Sequence, residues 1–254
     1  MKINIVPAIV FLASTVLVQA EDSLSHEQFI PLNSLTESVA NQETETDSNS
    51  AIVTSAAAVV ALVPFFVSFE SGSRRARDIM PVIVMTALAV AGRLIFAPVP
   101  AVKPVYAIVI MAGLCFGREE GFITGSLTML VSNIFFGQGP WTPWQMFAMG
   151  LVGYLAGAFG SFGLLKHRWS IGVFGFIMVF LYGFILDTWT LVGFVNGMNA
   201  GSIMATYGAG VISNLAGAIA TVVFLVPIAH SWPRMFRRIK EKYQIGPAEY
   251  RPSS

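Results

Sequence analysis

Apolar residues gather in eight stretches of this chain, at about residues 3–20, 51–69, 79–97, 104–116, 121–137, 144–165, 169–186 and 203–229. Short polar or Gly/Pro breaks separate them. A helix crosses a bilayer core with roughly twenty apolar residues, so the pattern predicts an all-α integral membrane protein. The stretch from Pro104 to Phe116 is short, but Lys103 and Arg118 at its flanks can reach the interfaces while the bilayer adapts.

The first stretch has the features of a secretory signal: Lys2 precedes an apolar run, and Val18-Gln19-Ala20 stands at a cleavage position. Residues 1–20 are therefore expected to be a signal peptide or a signal anchor. Residues 21–50 hold seven of the chain's fourteen acids, no Lys or Arg, and too little apolar content to bury a core. They predict a disordered acidic extracytoplasmic linker. Residues 51–69 then read as an extra transmembrane helix, 70–78 as a basic cytoplasmic loop, 79–230 as a six-span membrane domain and 231–254 as a basic cytoplasmic tail.

Composition agrees with this pattern, since 55% of the 254 residues are hydrophobic, only 11% are charged and the mean hydropathy is +0.69. The net charge of +1 does not suggest nucleic acid. Charge distribution says more. If the spans alternate, one face carries Arg74, Arg75, Arg77, Arg118, Lys166, Arg168 and the cluster Arg234, Arg237, Arg238, Lys240, Lys242, while the other keeps only Lys103, with Arg93 just inside. Basic residues are retained on the cytoplasmic side, which predicts a cytoplasmic C-terminus. Cys115, the single cysteine, lies in an apolar stretch and reads as a small buried hydrophobe.

This orientation gathers the loops 98–103, 137–144 and 187–202 on the outer face. The middle one begins Gly137-Gln138-Gly139-Pro140-Trp141-Thr142-Pro143-Trp144-Gln145, which offers flat stacking faces beside amide donors and acceptors. Two readings are open: a ligand-contacting loop, or a membrane-interface turn of the kind in which Trp is enriched. The third loop adds Asp187, Trp189, Asn196 and Asn199. Asp187 could meet donor groups of a ligand, or pair with Arg93 or Lys103. Arg93 could likewise snorkel, form an ion pair or meet a ligand. Asn133 and Asn214 fit hydrogen bonds between helices, with Asn133 the better ligand candidate because it lies one turn below the loop.

Small residues mark helix contacts. Ala87 and Ala91, four apart, leave a smooth strip for a helix either inside the chain or on a partner. Gly150, Gly153, Gly157 and Gly160 do the same on another span and are expected to pack internally. Enzyme signatures are largely missing from the sequence: there is no GxxxxGK[ST] loop and no Gly-Lys pair. The three histidines, His26, His167 and His230, fall in the linker and at cytoplasmic ends, so no intramembrane metal site is expected. Glu119-Glu120 after Arg118 reads as a cytoplasmic charge cluster, because Thr124 and the lack of a following histidine motif do not suit an intramembrane protease.

Residues 79–230 resemble the substrate-binding S component of energy-coupling factor (ECF) vitamin transporters. The resemblance rests on Ala87-Leu88-Ala89-Val90-Ala91-Gly92-Arg93, similar to that family's AxxxA helix, and on FGREEGFITGSLTMLVSNIFFGQGPWTPWQM from Phe116 to Met146. It implies a six-helix S-component-like bundle, here preceded by a signal-like segment and one extra transmembrane helix. It further implies a multi-pass protein of the bacterial cell membrane that captures a vitamin and relies on a T component and two cytoplasmic ATPases. On that resemblance Ala87 and Ala91 become the docking face for the T component, and the outer loops become a pocket and its lid. Asn133, Gln138, Trp141, Thr142, Trp144 and Gln145 become leading contacts, with Arg93, Asp187, Trp189 and Asn196 beside them.

The PWTPWQ segment resembles S components assigned to cobalamin or related corrinoids, for which aromatic walls with amide groups would suit a wide amphipathic ligand. No resident cofactor or metal is implied. The competing reading is a structural membrane anchor or assembly protein that presents its acidic extracytoplasmic segment. An intramembrane enzyme is the weakest alternative, since no paired acid and base lie at membrane depth.

Overall fold

A computed structural model of the chain describes residues 56, 58–64, 66, 67, 76–99, 101–194 and 200–243. The expected signal segment, the acidic linker, Asn196 and residues 244–254 lie outside them. Among the described residues six helices follow one another: α1 (Ala76–Ile95), α2 (Val105–Phe116), α3 (Arg118–Phe136), α4 (Trp141–Ser161), α5 (Arg168–Phe194) and α6 (Ala200–Tyr243). The described residues contain no strand. Ahead of α1, residues 58–64 are helical, and Leu62 and Phe66 pack into the common apolar core.

Two segments are long and apolar enough to cross a membrane, Arg168–Val192 and Ile203–Lys242. Both carry apolar side chains on their outer faces, such as Val173, Ile177 and Phe184 on α5 and Ile203, Ile212, Ile219 and Val223 on α6. That outward apolar surface suits lipid.

The core centres on α2, which touches each of the other five helices. Val105 and every residue from Ala107 to Gly113 are buried. A helix that is apolar on all sides belongs in an interior. Protein surrounds this 12-residue helix over most of its length, so little of it meets lipid.

Beside it, the close approach of α3 to α4 depends on glycine. A Cβ on Gly153 of α4 would overlap the carbonyl oxygen of Gly121 on α3, and one on Gly125 would overlap that of Met149. A Cβ on Gly157 would stand 2.5 Å from the Arg118 backbone. The glycine series therefore packs inside the chain as expected. Gly117, with φ of 127°, makes the sharp turn from α2 into α3.

Several helices outrun the stretches that hydropathy marks. α4 begins at Trp141 rather than Trp144, so the expected loop 137–144 contracts to residues 137–140. Pro140 and Pro143 permit this, because the first turn of a helix needs no intrahelical amide donors. α5 continues to Phe194, which makes Asp187, Thr188, Trp189 and Thr190 helical rather than part of a loop. The hydroxyls of Thr188 and Thr190 bond to the carbonyls of Phe184 and Leu186, four residues back, at 2.7 and 3.0 Å. α6 runs on through the expected tail to Tyr243.

The candidate ligand site

The polar chemistry gathers where α1 and α3 end and α4 begins. Along α3, Thr124, Thr128 and Ser132 recur every four residues on one face. Each hydroxyl donates to the carbonyl four residues earlier, at 2.7, 2.6 and 2.6 Å. This back-bonding satisfies the hydroxyl hydrogen in an apolar interior and leaves lone pairs on the oxygen. The oxygen of Ser132 then accepts from the Arg93 guanidinium.

Arg93 Nη1 also donates to Asn133 Oδ1 at 2.8 Å. The other end of the same amide donates to Gln145 Oε1 at 2.8 Å and to Thr142 Oγ1 at 3.2 Å. Asn133 thus joins α1 to α4 through one planar group. Thr142 extends the network, since its Oγ1 accepts from Gly139 N at 3.2 Å and its own N donates to Gly139 O at 2.9 Å. Arg93 is 9%, Asn133 1% and Thr142 3% exposed. Buried polar groups satisfied this fully hold a rigid geometry.

One ring carries two cations. The Arg93 guanidinium lies 4.8 Å and the Lys103 ammonium 5.6 Å from the centroid of Phe136. Both are within cation–π range. Burial first, and then the Arg93 charge, hold the Lys103 ammonium below the usual lysine range.

Aromatic residues extend this end of the bundle. The Trp141 ring lies against the loop backbone, where a Cβ on Gly139 would collide with it. Its edge meets Trp189 of α5, with centroids 6.4 Å apart. The indole nitrogen of Trp144 is buried without a hydrogen-bond partner among the described residues. Gln138, in the loop, is tied back to α3 by a 3.0 Å bond from Nε2 to the Leu130 carbonyl. Deeper in the bundle, Tyr106 and Tyr182 meet edge to face at 5.3 Å.

The structure therefore brings Arg93, Asn133, Thr142 and Gln145 into one bonded set and puts Gln138, Trp141 and Trp144 on the segment beside it. Trp189 is buried near Trp141, while Asn196 lies outside the described residues. Asp187 does not join Arg93 or Lys103, which corrects the expected ion pair. Its carboxylate lies against α6, where a Cβ on Gly210 would stand 2.6 Å from it, and Arg93 bonds to neutral oxygens instead. Ala87 and Ala91 are both exposed, sharing an outward face of α1 with Met80, Ile83, Val84 and Leu88. Among the described residues no three His, Cys, Asp or Glu side chains gather in a way that could hold a metal.

Sequence reasoning missed Ser132 and Phe136. Helical spacing could have found them, because Ser132 adjoins Asn133 and Phe136 lies four residues beyond Ser132 on its face.

A family model described as ECF-type riboflavin transporter, S component, matches residues 74–231. No curated protein and no solved structure matches the chain.

Proposed function

The chain belongs to the ECF-type riboflavin transporter S-component family, and we propose that it is the vitamin-capturing subunit of an ECF importer, with riboflavin as its first-choice substrate. S components are membrane-embedded substrate-binding subunits of transporters, not enzymes, and they work with a T component and ATPases. The observation that carries the proposal for this chain is the network from Arg93 through Asn133 to Thr142 and Gln145, flanked by tryptophans. Fixed amide and guanidinium groups beside aromatic rings suit a flat heteroaromatic ligand with carbonyl groups.

In the proposed orientation this end faces outward and the C-terminus is cytoplasmic, following the positive charges at the opposite end. The exposed Ala87 and Ala91 face of α1 would receive the T component, because small residues let a partner helix approach closely. Energy would come from the ATPases bound to that component.

The test is direct binding and association. Purified full-length protein is titrated with riboflavin, cobalamin and an unrelated vitamin, and then mixed with the T component and ATPases of the same cell. Saturable riboflavin binding with assembly of the complex is the expected result. Tight cobalamin binding without riboflavin binding would transfer the substrate to corrinoids, while no vitamin binding and no assembly would overturn the proposal.

A further inference from the structure

We propose that the basic end of the bundle is a binding surface for anionic phospholipid headgroups, built from the last turns of α6 and the turn between α4 and α5. This does not depend on which vitamin the chain captures and needs only that the helices lie in a membrane, as they do in the family.

Register fixes the course of α6. A Cβ on Gly175 of α5 would meet both Leu225 of α6 and Ile110 of α2, so these two side chains share one level. From there Cys115 is five residues on and Lys240 fifteen, rises of about 8 and about 22 Å along straight helices. Lys240 nevertheless reaches the Cys115 carbonyl at 3.0 Å, and Phe236 meets Phe116. The difference in rise exceeds the length of a lysine side chain, so the last turns of α6 run obliquely across the end of the bundle. Pro227 and Pro233 lie inside the helix where such a bend is made.

The bent segment is amphipathic, and its apolar side is already taken. Trp232 and Phe236 pack against the core. Arg234, Arg237, Arg238 and Lys242 are exposed, with Glu241 as the one acid beside them. Arg234 and Arg238 are four apart on one face, where like charges repel unless an anion joins them.

What surrounds these cations follows from the faces they share. Ile219 and Val223 lie on the outward apolar side of α6, and Arg234, three turns beyond Val223, continues that side. On α5, Ile177, Val173 and Trp169 are exposed at four-residue steps and lead to Arg168, whose guanidinium lies 5.7 Å from the Trp169 ring centroid. Gly172 packs on Val222 and Val226, which puts Arg168 near the bend of α6. Each lipid-facing stripe thus ends in cations, and the α4–α5 turn adds exposed Phe162 and Leu164 beside them. Apolar side chains at the acyl boundary with cations at headgroup depth fit an anionic lipid better than a soluble anion or an acidic protein.

The experiment measures a headgroup preference. Full-length protein in neutral detergent is titrated with phosphatidylglycerol and with phosphatidylcholine, each carrying pyrene on an acyl chain, following energy transfer from tryptophan. Wild type is compared with the double variants Arg234→Gln/Arg238→Gln and Arg234→Lys/Arg238→Lys. The ratio of phosphatidylglycerol to phosphatidylcholine affinity is expected to fall about fivefold for each cation removed in the glutamine pair, and to be kept in the lysine pair. In wild type it should shrink as salt is raised, and glycerol 3-phosphate should not displace the lipid. A ratio unchanged in the glutamine pair overturns the inference; if that pair also fails to assemble with the T component and ATPases, the face is a protein interface instead. Displacement by glycerol 3-phosphate would make it a site for soluble anions and overturn the lipid assignment. Riboflavin titration of the same variants reads the capture role separately, since neither arginine belongs to the Arg93 network.

Discussion

Asn133 has both amide N–H groups and its oxygen engaged by the protein: the oxygen accepts from Arg93 and the nitrogen donates to Thr142 and Gln145. It therefore acts chiefly by fixing the groups around it. Asn133→Leu should leave the guanidinium on Ser132 alone and cost about 2–3 kcal/mol of stability, within the range for a hydrogen bond to a charged group with an added unpaired amide. Gln145→Ala, which removes one neutral bond, should cost about 1 kcal/mol. Thermal unfolding of the purified protein in detergent would rank the two, and equal losses would mean that the network is not cooperative. At this scale the sequence made the chemistry legible but not its pairing. Arg93, Asn133, Thr142 and Gln145 stand out as polar residues near apolar helix ends. That a single amide links them depends on the rotation and height of three helices, which no residue spacing within one segment encodes.

Helix faces are where spacing informs most. Ala87 with Ala91 and Gly153 with Gly157 have the same four-residue interval, yet the structure gives them opposite roles. The alanines are exposed, whereas a side chain on Gly153 would enter the backbone of α3. Adding bulk separates the two roles. Ala87→Trp should leave stability and vitamin binding near wild type while blocking association with the T component, because the added ring lies on the outward face. Gly153→Val should lower stability by about 1–3 kcal/mol, the usual cost of overpacking, and more if α3 cannot shift. Unfolding and pull-down measured on both variants check this, and loss of stability in Ala87→Trp would make its face an internal one. Element boundaries were harder to read. Trp141 to Gln145 resembles a loop because prolines and glycines surround it, but prolines suit a helix's first turn, and α4 starts there. The short α2 resembles a poor membrane span because its packing partners lie far away in sequence.

α6 decides how the whole molecule meets its surroundings. Its 44 residues would extend about 66 Å as a straight helix, roughly twice the hydrocarbon thickness of a bilayer. The surplus folds onto the bundle: Phe236 meets Phe116 at 5.0 Å and Trp232 at 5.5 Å, and Lys240 donates to the Cys115 carbonyl at 3.0 Å. That bond satisfies an orphan carbonyl at the C-terminus of α2 and sets a cation at the negative end of the helix dipole. Arg234, Arg237 and Arg238 remain exposed at this same end. The concentration of positive charge there, opposite the Arg93 network, is the basis for the proposed orientation. Single cysteines can test it, because Cys115 is the only native one and can be replaced by serine. In intact cells, a membrane-impermeant maleimide should label Val99→Cys, on the exposed loop after α1, without permeabilisation. Phe162→Cys, which is 79% exposed at the end of α4, and Arg238→Cys should react only after the membrane is opened. The reverse pattern would turn the protein over and place the Arg93 site on the cytoplasmic side. Labelling of all three from outside would mean that the helices between them do not separate two compartments, and the capture role would fail with the orientation.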